Sequence, residues 1–457
     1  MTSTNNKEFK LNLTNETEVF LADFVTHKLV DDEETRNRIK EILYDTIGVM
    51  LAGSRTDAAK KAARIASREM SGHIPLLAGG GGSLLGATFA NSATAYSLDI
   101  DTVYEPSTLH ISAILVPLIL SLAAEYRLSL REAVDAFHVG YNVAAAFGDA
   151  MTSKEIYARY FHPTTIVGAF GASASSSRIL CNRKEESLNS LRLVSTMTSG
   201  LTSVFNELSH QSAPIQVANS ALSGIKATIL AKEGVNGPPL FYKKSVFFPF
   251  SGKQGLAPEA RLKKKITEGK AELKTSFKQH SACLFLQAGI DAALQLREEI
   301  GVPSETDRIE LTVDPTTVDL IDNAGDMTHN AQLVLSMAFI YGRVLYEDYP
   351  KALKDTKVLH MKMHTKVSRE KMLAGHYPES LPAIVTVTSR GGRKHDVRVN
   401  HHKGHFKNPM GPKTLRAKFM ILTNRKKEFQ DDLESIIFGN ETADVSEIIS
   451  LARGDAQ

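Results

Sequence analysis

Phe161-His-Pro-Thr-Thr-Ile-Val-Gly-Ala-Phe-Gly-Ala-Ser-Ala-Ser-Ser-Ser-Arg-Ile-Leu180 is the stretch on which the architecture turns. Its Gly, Ala and Ser residues let neighbouring helices approach closely, so it predicts a central packing helix with Pro163 in the first turn. Residues 191–204 share this small-residue character and predict a second such helix. Outward from these, residues 18–240 read as helix after helix. Phe20, Phe24 and Leu29, then Ile39, Ile42, Leu43 and Ile47, recur mostly at three- and four-residue steps. Residues 58–70 are rich in Ala, Lys and Arg and stop at Ser71-Gly72. Ser129 followed by Glu132 is a capping-box start. The longest apolar stretch, 111–124, is shorter than the ~20 residues a membrane span needs and is interrupted by Pro117, so a buried helix is expected.

The character changes past Phe250. A charged segment, 261–270, reads as a boundary or an exposed helix start. Residues 308–314 and 383–389 alternate polar and apolar side chains and predict strands, the second with a hairpin partner at 394–400. Residues 330–345 predict an apolar helix, and Leu415, Phe419 and Leu422 restore helical spacing. The expected fold is mainly α with a smaller α/β lid domain: a helical domain over 1–265, the lid over 266–402, and a return to the helical domain over 403–457.

Composition narrows the function. Of 457 residues, 42% are hydrophobic and 23% charged, which suits a large buried core. Lys and Arg number 54 against 51 Asp and Glu, and a formal charge of +3 does not argue for a nucleic-acid or membrane-surface partner. A small-molecule substrate is expected instead. Two cysteines, Cys181 and Cys283, exclude a disulfide scaffold and suit a reducing, cytoplasmic compartment. The first twenty residues lack the apolar core of a secretory signal.

Four segments carry candidate chemistry. Gly79 to Gly82 with Gly86 has a phosphate-loop spacing, but no βαβ rhythm surrounds it, so a turn before a small-residue helix is expected. Leu98-Asp-Ile-Asp-Thr-Val-Tyr-Glu-Pro-Ser-Thr-Leu-His110 crowds Asp99, Asp101 and Glu105 beside His110. A carboxylate beside an imidazole orients it for proton transfer, two close aspartates could instead bind a divalent cation, and a loop of solvated acids is the plain alternative. His162, just before a helix start, is placed either for an anionic ligand or as a cap or core histidine. His401, His402 and His405 have ligand-like spacing, yet lie among Lys and Arg without a nearby carboxylate, so a solvated basic loop is expected and no metal site. His360 and His364 read as surface.

Several of these segments together resemble the MmgE/PrpD family, which includes 2-methylcitrate dehydratases and cis-aconitate decarboxylases. The likeness is carried by Tyr44-Asp-Thr-Ile-Gly-Val-Met-Leu-Ala-Gly53, Ala90-Asn-Ser-Ala-Thr-Ala-Tyr-Ser-Leu-Asp-Ile-Asp101, His110 with Pro117, and Phe161-His-Pro-Thr-Thr-Ile-Val-Gly168. The small-residue stretch 219–237 and Lys403-Gly-His-Phe-Lys-Asn-Pro-Met410 complete it. The resemblance implies a homodimer and an active site between the two domains that needs no organic cofactor. It also implies acid–base roles for His110 and His162, with Asp99 and Asp101 orienting them or contacting substrate. Tyr104, Lys278, Gln216 and Gln287 are expected to bind substrate.

The sequence departs from the family where a lysine and histidines are usual. Ser212-Ala-Pro-Ile-Gln216 stands for Thr-Lys-Pro-Leu-His, Leu286-Gln287 for Thr-His, and Leu333-Val-Leu-Ser336 for Phe-Ser-Leu-Pro. A desolvated charge-assisted hydrogen bond is worth roughly 1.5–3 kcal/mol, about tenfold to a hundredfold in affinity. A substrate less anionic than citrate is therefore expected. The leading expectation is a lyase, with water loss favoured over decarboxylation. An isomerase or cyclase acting on a mostly apolar natural-product intermediate and a degenerate binding homologue are the alternatives.

Overall fold

The computed structural model describes residues 15–241, 245–253, 256–377 and 380–454, so the amino-terminal stretch read for a signal falls largely outside the described residues. Ten longer helices come first: α1 Glu16–His27, α2 Glu33–Gly53, α3 Asp57–Glu69, α4 Leu84–Tyr96, α5 Ser112–Tyr126, α6 Leu130–Met151, α7 Pro163–Leu180, α8 Lys184–Val194, α9 Ser212–Lys232 and α10 Leu256–Glu268. The α7 helix runs between α6 and α9. Its small residues are what allow this: a Cβ on Gly171 would meet the Gly140 carbonyl oxygen at 2.8 Å. Pro117 sits inside α5, which is buried almost throughout, and among the described residues no helix is long and apolar enough to cross a membrane. Ser129 and Glu132 make the capping box at the start of α6.

The second layer begins with α11 Leu284–Ile300 and continues through β1 Arg308–Val313, α12 Ala331–Tyr341, α13 Thr356–Met363, β2 Thr365–Arg369, β3 Ala383–Thr388 and β4 Lys394–Val399. The strands form one sheet in the order β2-β1-β3-β4, with β1 and β2 parallel and the other pairs antiparallel. The buried face of β1 and β3 (Ile309, Leu311, Val385, Val387) packs in one apolar core with α11 and α12. A final group, α14 Pro412–Thr423, α15 Lys427–Ile437 and α16 Ser446–Gly454, returns to the first core through Leu415, Phe419 and Leu433. Ile266, Ala271 and Phe277 also belong to that first core.

Three expectations need correction. The helix expected over 191–204 stops at Val194, because the Ser195 and Thr196 hydroxyls donate to the Arg192 and Leu193 carbonyls and satisfy the helix end locally. The charged run 261–270 is largely the body of an amphipathic helix, with Leu262 and Ile266 buried. The loop of His401, His402 and His405 is not solvated: His402 and His405 are buried, and His402 Nε2 meets Glu105 Oε1 at 3.0 Å across 297 residues of chain. The glycine segment is a turn: Gly81–Gly82 pairs with Ile74–Pro75, and Ser83 caps α4.

Candidate active site

The loop between α4 and α5 is held in a compact shape by two non-glycine residues in the left-handed region, Asp99 (φ 50°) and Thr108 (φ 50°). That turn folds both aspartates inward, and Asp99, Asp101 and Glu105 are each about 1% exposed or less. His110 follows the loop, and its backbone N–H donates to the Thr164 hydroxyl at 3.2 Å, tying it to the first turn of α7. His162 caps that helix, its N–H donating to the Gly200 carbonyl at 3.0 Å. Only glycine fits at 200: φ is +145° and a Cβ would lie 2.0 Å from Thr165 Oγ1.

Hydrogen-bond partners fix the two imidazoles differently. His110 Nδ1 is 2.9 Å from Asp101 Oδ2, so the carboxylate accepts from Nδ1–H and Nε2 is left to exchange a proton. His162 Nδ1 is 2.8 Å from Gln216 Oε1, while Gln216 Nε2 donates to the Leu201 carbonyl at 3.0 Å. That second bond fixes the amide orientation, so His162 donates through Nδ1–H and carries its lone pair on Nε2. Burial drives the His162 pKa down to about 3, although Gln216 opposes the shift, so this ring is neutral at ordinary pH.

A third imidazole has the opposite state. His329 lies immediately before α12, with Nδ1 3.7 Å from Asp326 Oδ1 and 4.0 Å from Asp99 Oδ2. Burial disfavours its charge, but the neighbouring Cys283 sulfur and Asp326 carboxylate outweigh that and raise its pKa well above the usual value. Behind it, His210 Nδ1 is 2.6 Å from Asp326 Oδ2. Lys278 is fully buried, bonded to Asp99, with Asp101 Oδ1 at 3.7 Å. Burial opposes the Asp99 charge, yet Lys278 beside it holds its pKa down to about 2. Asp99, Asp101 and His110 bring ligand atoms within 4.8 Å of one another. The Lys278 ammonium already supplies the positive charge that a cation would bring, so this donor set does not fit an added divalent ion.

These groups meet in one inner chamber. Asp99, His110 and His162 reach it from the helical body, Cys283, Phe285 and His329 from the second layer. Phe205 stacks on His329 with ring centroids 4.4 Å apart and meets His162 edge-on at 5.1 Å. The room inside is about 20 Å³, enough for one or two waters. Next to it, an outer cleft of about 430 Å³ shares Tyr157, Phe205, Phe285 and Leu320 as a common wall.

The remaining candidates lie behind the chamber. Gln216 supports His162 from the rear. Lys278 and Asp101 form the buried charge pair with Asp99. Tyr104 is wholly buried, donating to Asp149 Oδ2 at 2.9 Å. Gln287 spends its amide on the backbone of His280 and Ala282, so neither Tyr104 nor Gln287 reaches the chamber. Sequence reasoning missed His329, Asp326, His210 and Cys283. Asp326-Met-Thr-His329 directly before an apolar helix repeats the acid-near-histidine pattern that singled out His110, and was the available signal.

Two domains enclosing a chamber where Asp99, His110, His162 and His329 meet among aromatic and aliphatic side chains agree with what comparison of the sequence shows. Residues 19–251 match the MmgE/PrpD N-terminal domain and residues 280–438 the MmgE/PrpD C-terminal domain. The chain belongs to the MmgE/PrpD family. Among curated relatives it is similar to a cis-aconitate decarboxylase of Mus musculus, 23% identical over 88% of this chain and 84% of that protein. It is also similar to the cis-aconitate decarboxylase-like protein oryM of Aspergillus oryzae, 24% identical over 95% of this chain and 97% of that protein.

Proposed function

We propose that this protein is a lyase that removes water from a hydroxy acid by general acid–base catalysis, without an organic cofactor. One observation carries the reading: His110, held by Asp101, and His162, held by Gln216, line one chamber together with His329. In this scheme His110 Nε2 takes the proton from the carbon beside the substrate carboxylate, and Asp101 stabilises the imidazolium that forms. The C–H electron pair becomes the new double bond, and the hydroxyl leaves with a proton from His329 as water. Neutral His162 accepts a hydrogen bond at Nε2 and orients the substrate. Lys278 does not touch substrate in this scheme; with Asp99, which lines the chamber, it holds His110 and His329 in a fixed field.

The substrate is expected to be less anionic than a tricarboxylate, because Ala213 is a buried apolar residue and Gln216 is neutral. It is also expected to enter through the outer cleft, by displacement of Phe205, Phe285 or Leu320, since the inner chamber is closed over little more than water. Decarboxylation is the second reading, favoured by the names of the relatives; the same histidines would then protonate the carbanion left by CO2.

The test is incubation of the purified chain with a panel of 2- and 3-hydroxy acids and with cis-aconitate, following ultraviolet absorbance of unsaturated acids and CO2 release. Water loss without CO2 is expected, with His110→Asn lowering the rate by about 10²–10⁴-fold while remaining folded. CO2 release would favour the second reading. No turnover of any acid would leave the isomerase or cyclase and the binding homologue.

A further inference from the structure

One nucleophile in the chamber has no part in the scheme above. Cys283 lines the cavity and is free, 6% exposed, and sits at the N-cap of the seventeen-residue α11. Its backbone N–H donates to the Thr328 carbonyl at 2.9 Å, which brings it beside His329. His329 Nδ1 is 3.2 Å from the Thr328 hydroxyl, which donates to Asp326 Oδ1 at 2.8 Å, so thiol, imidazole and, through Thr328, carboxylate follow in the order found where a thiol is activated for attack. Independent of the thiol, Asp99 Oδ2 is buried in the same chamber with no hydrogen-bond partner among the described residues, a sign that the space is built for a polar occupant.

We propose that Cys283 is an activated nucleophile that captures, as thioethers, α,β-unsaturated carboxylic acids admitted from the outer cleft by displacement of Phe205, Phe285 or Leu320. The S–C bond forms at the β carbon, the double-bond electrons move to the α carbon, and that carbon takes a proton from the His329 imidazolium. The net change is addition of S–H across the double bond, with no oxidant or reductant. Cys283 stands at the start of α11, beside His329 in the chamber. The imidazoles around the chamber suit the acid's carboxylate. The inference does not depend on the lyase reading, because the electrophile can arrive from solution.

Cys181, the second of the two cysteines, is an internal control: it is more exposed than Cys283, and burial raises its pKa. The folded full-length chain is treated at neutral pH with N-ethylmaleimide and, separately, with monomethyl fumarate, and labelled peptides are quantified by mass spectrometry. Cys283 is expected to react about tenfold faster than Cys181 despite its deeper burial, and monomethyl fumarate to mark Cys283 alone. His329→Gln, verified as folded by circular dichroism, is expected to abolish that advantage, and Cys283→Ser to abolish the adduct. Faster labelling of Cys181, or labelling of Cys283 only after denaturation, overturns the proposal. The ranking in the unaltered chain decides this even if His329→Gln does not fold.

Discussion

At the scale of single residues, Lys278 shows how the site depends on a buried charge pair. It is wholly buried and neutralises one of two buried aspartates, so removing it strands a charge in the interior. Breaking a buried pair by deleting one partner costs about 3–5 kcal/mol. Lys278→Met is therefore expected to lower the urea midpoint by that equivalent, and Lys278→Met with Asp99→Asn to recover much of it. A single variant as stable as the parent would mean that the pair is not buried as described. The His110 carboxylate partner was legible in the sequence because Asp101 lies only nine residues away. Gln216 was legible as a site residue but not as the support of His162, since the two are 54 residues apart and meet only through helix packing.

At the scale of elements, the α7 start and the segment 198–201 work as one unit. Thr198 donates to the Thr165 and Ile166 carbonyls, Gly200 accepts from the His162 N–H, and Leu201 accepts from Gln216. Gly200→Ala is expected to destabilise the protein by about 1–3 kcal/mol, from the positive φ and the clash with Thr165. Urea unfolding checks this, and an unchanged midpoint would contradict it. Most of the longer helices, with β1, β3 and β4, were readable from periodicity, whereas the end of α8 and the body of α10 were misread. The parallel edge strand β2, Thr-Lys-Val-Ser-Arg, was not, because a single apolar residue gives no alternation to read. The burial of His402 was hidden for a different reason: its partner Glu105 comes from the other end of the chain.

At the scale of the whole molecule, buried histidines couple stability to pH. Burial holds His162 down to about 3 and His405 to about 4, against ~6.5 in an unfolded chain. In both cases the unfolded chain binds more protons, so their contribution is complete above about pH 6.5 and is lost as the pH falls. His329, His402 and His210 are raised, so their contributions are complete below about 6.5 and do not offset the loss. Asp99, held to about 2, contributes above its unfolded value near 3.8 and is lost only as the pH falls through 2. Stability between pH 6 and 4 should therefore fall by up to about 1.4 kcal/mol per pH unit for each depressed histidine. Urea midpoints across that window would show it, and His162→Gln should make the slope shallower. An unchanged slope would contradict the assignment.

The central claim is that one chamber holds a His162 kept neutral by burial beside a His329 whose pKa is raised. Nitrogen-15 NMR of the imidazoles in the full chain, assigned with His162→Gln and His329→Gln, tests it most directly. Between pH 5.5 and 7.5 the account predicts a single Nδ1–H tautomer for His162 and protons on both nitrogens of His329. Two rings titrating together near 6.5 would contradict it.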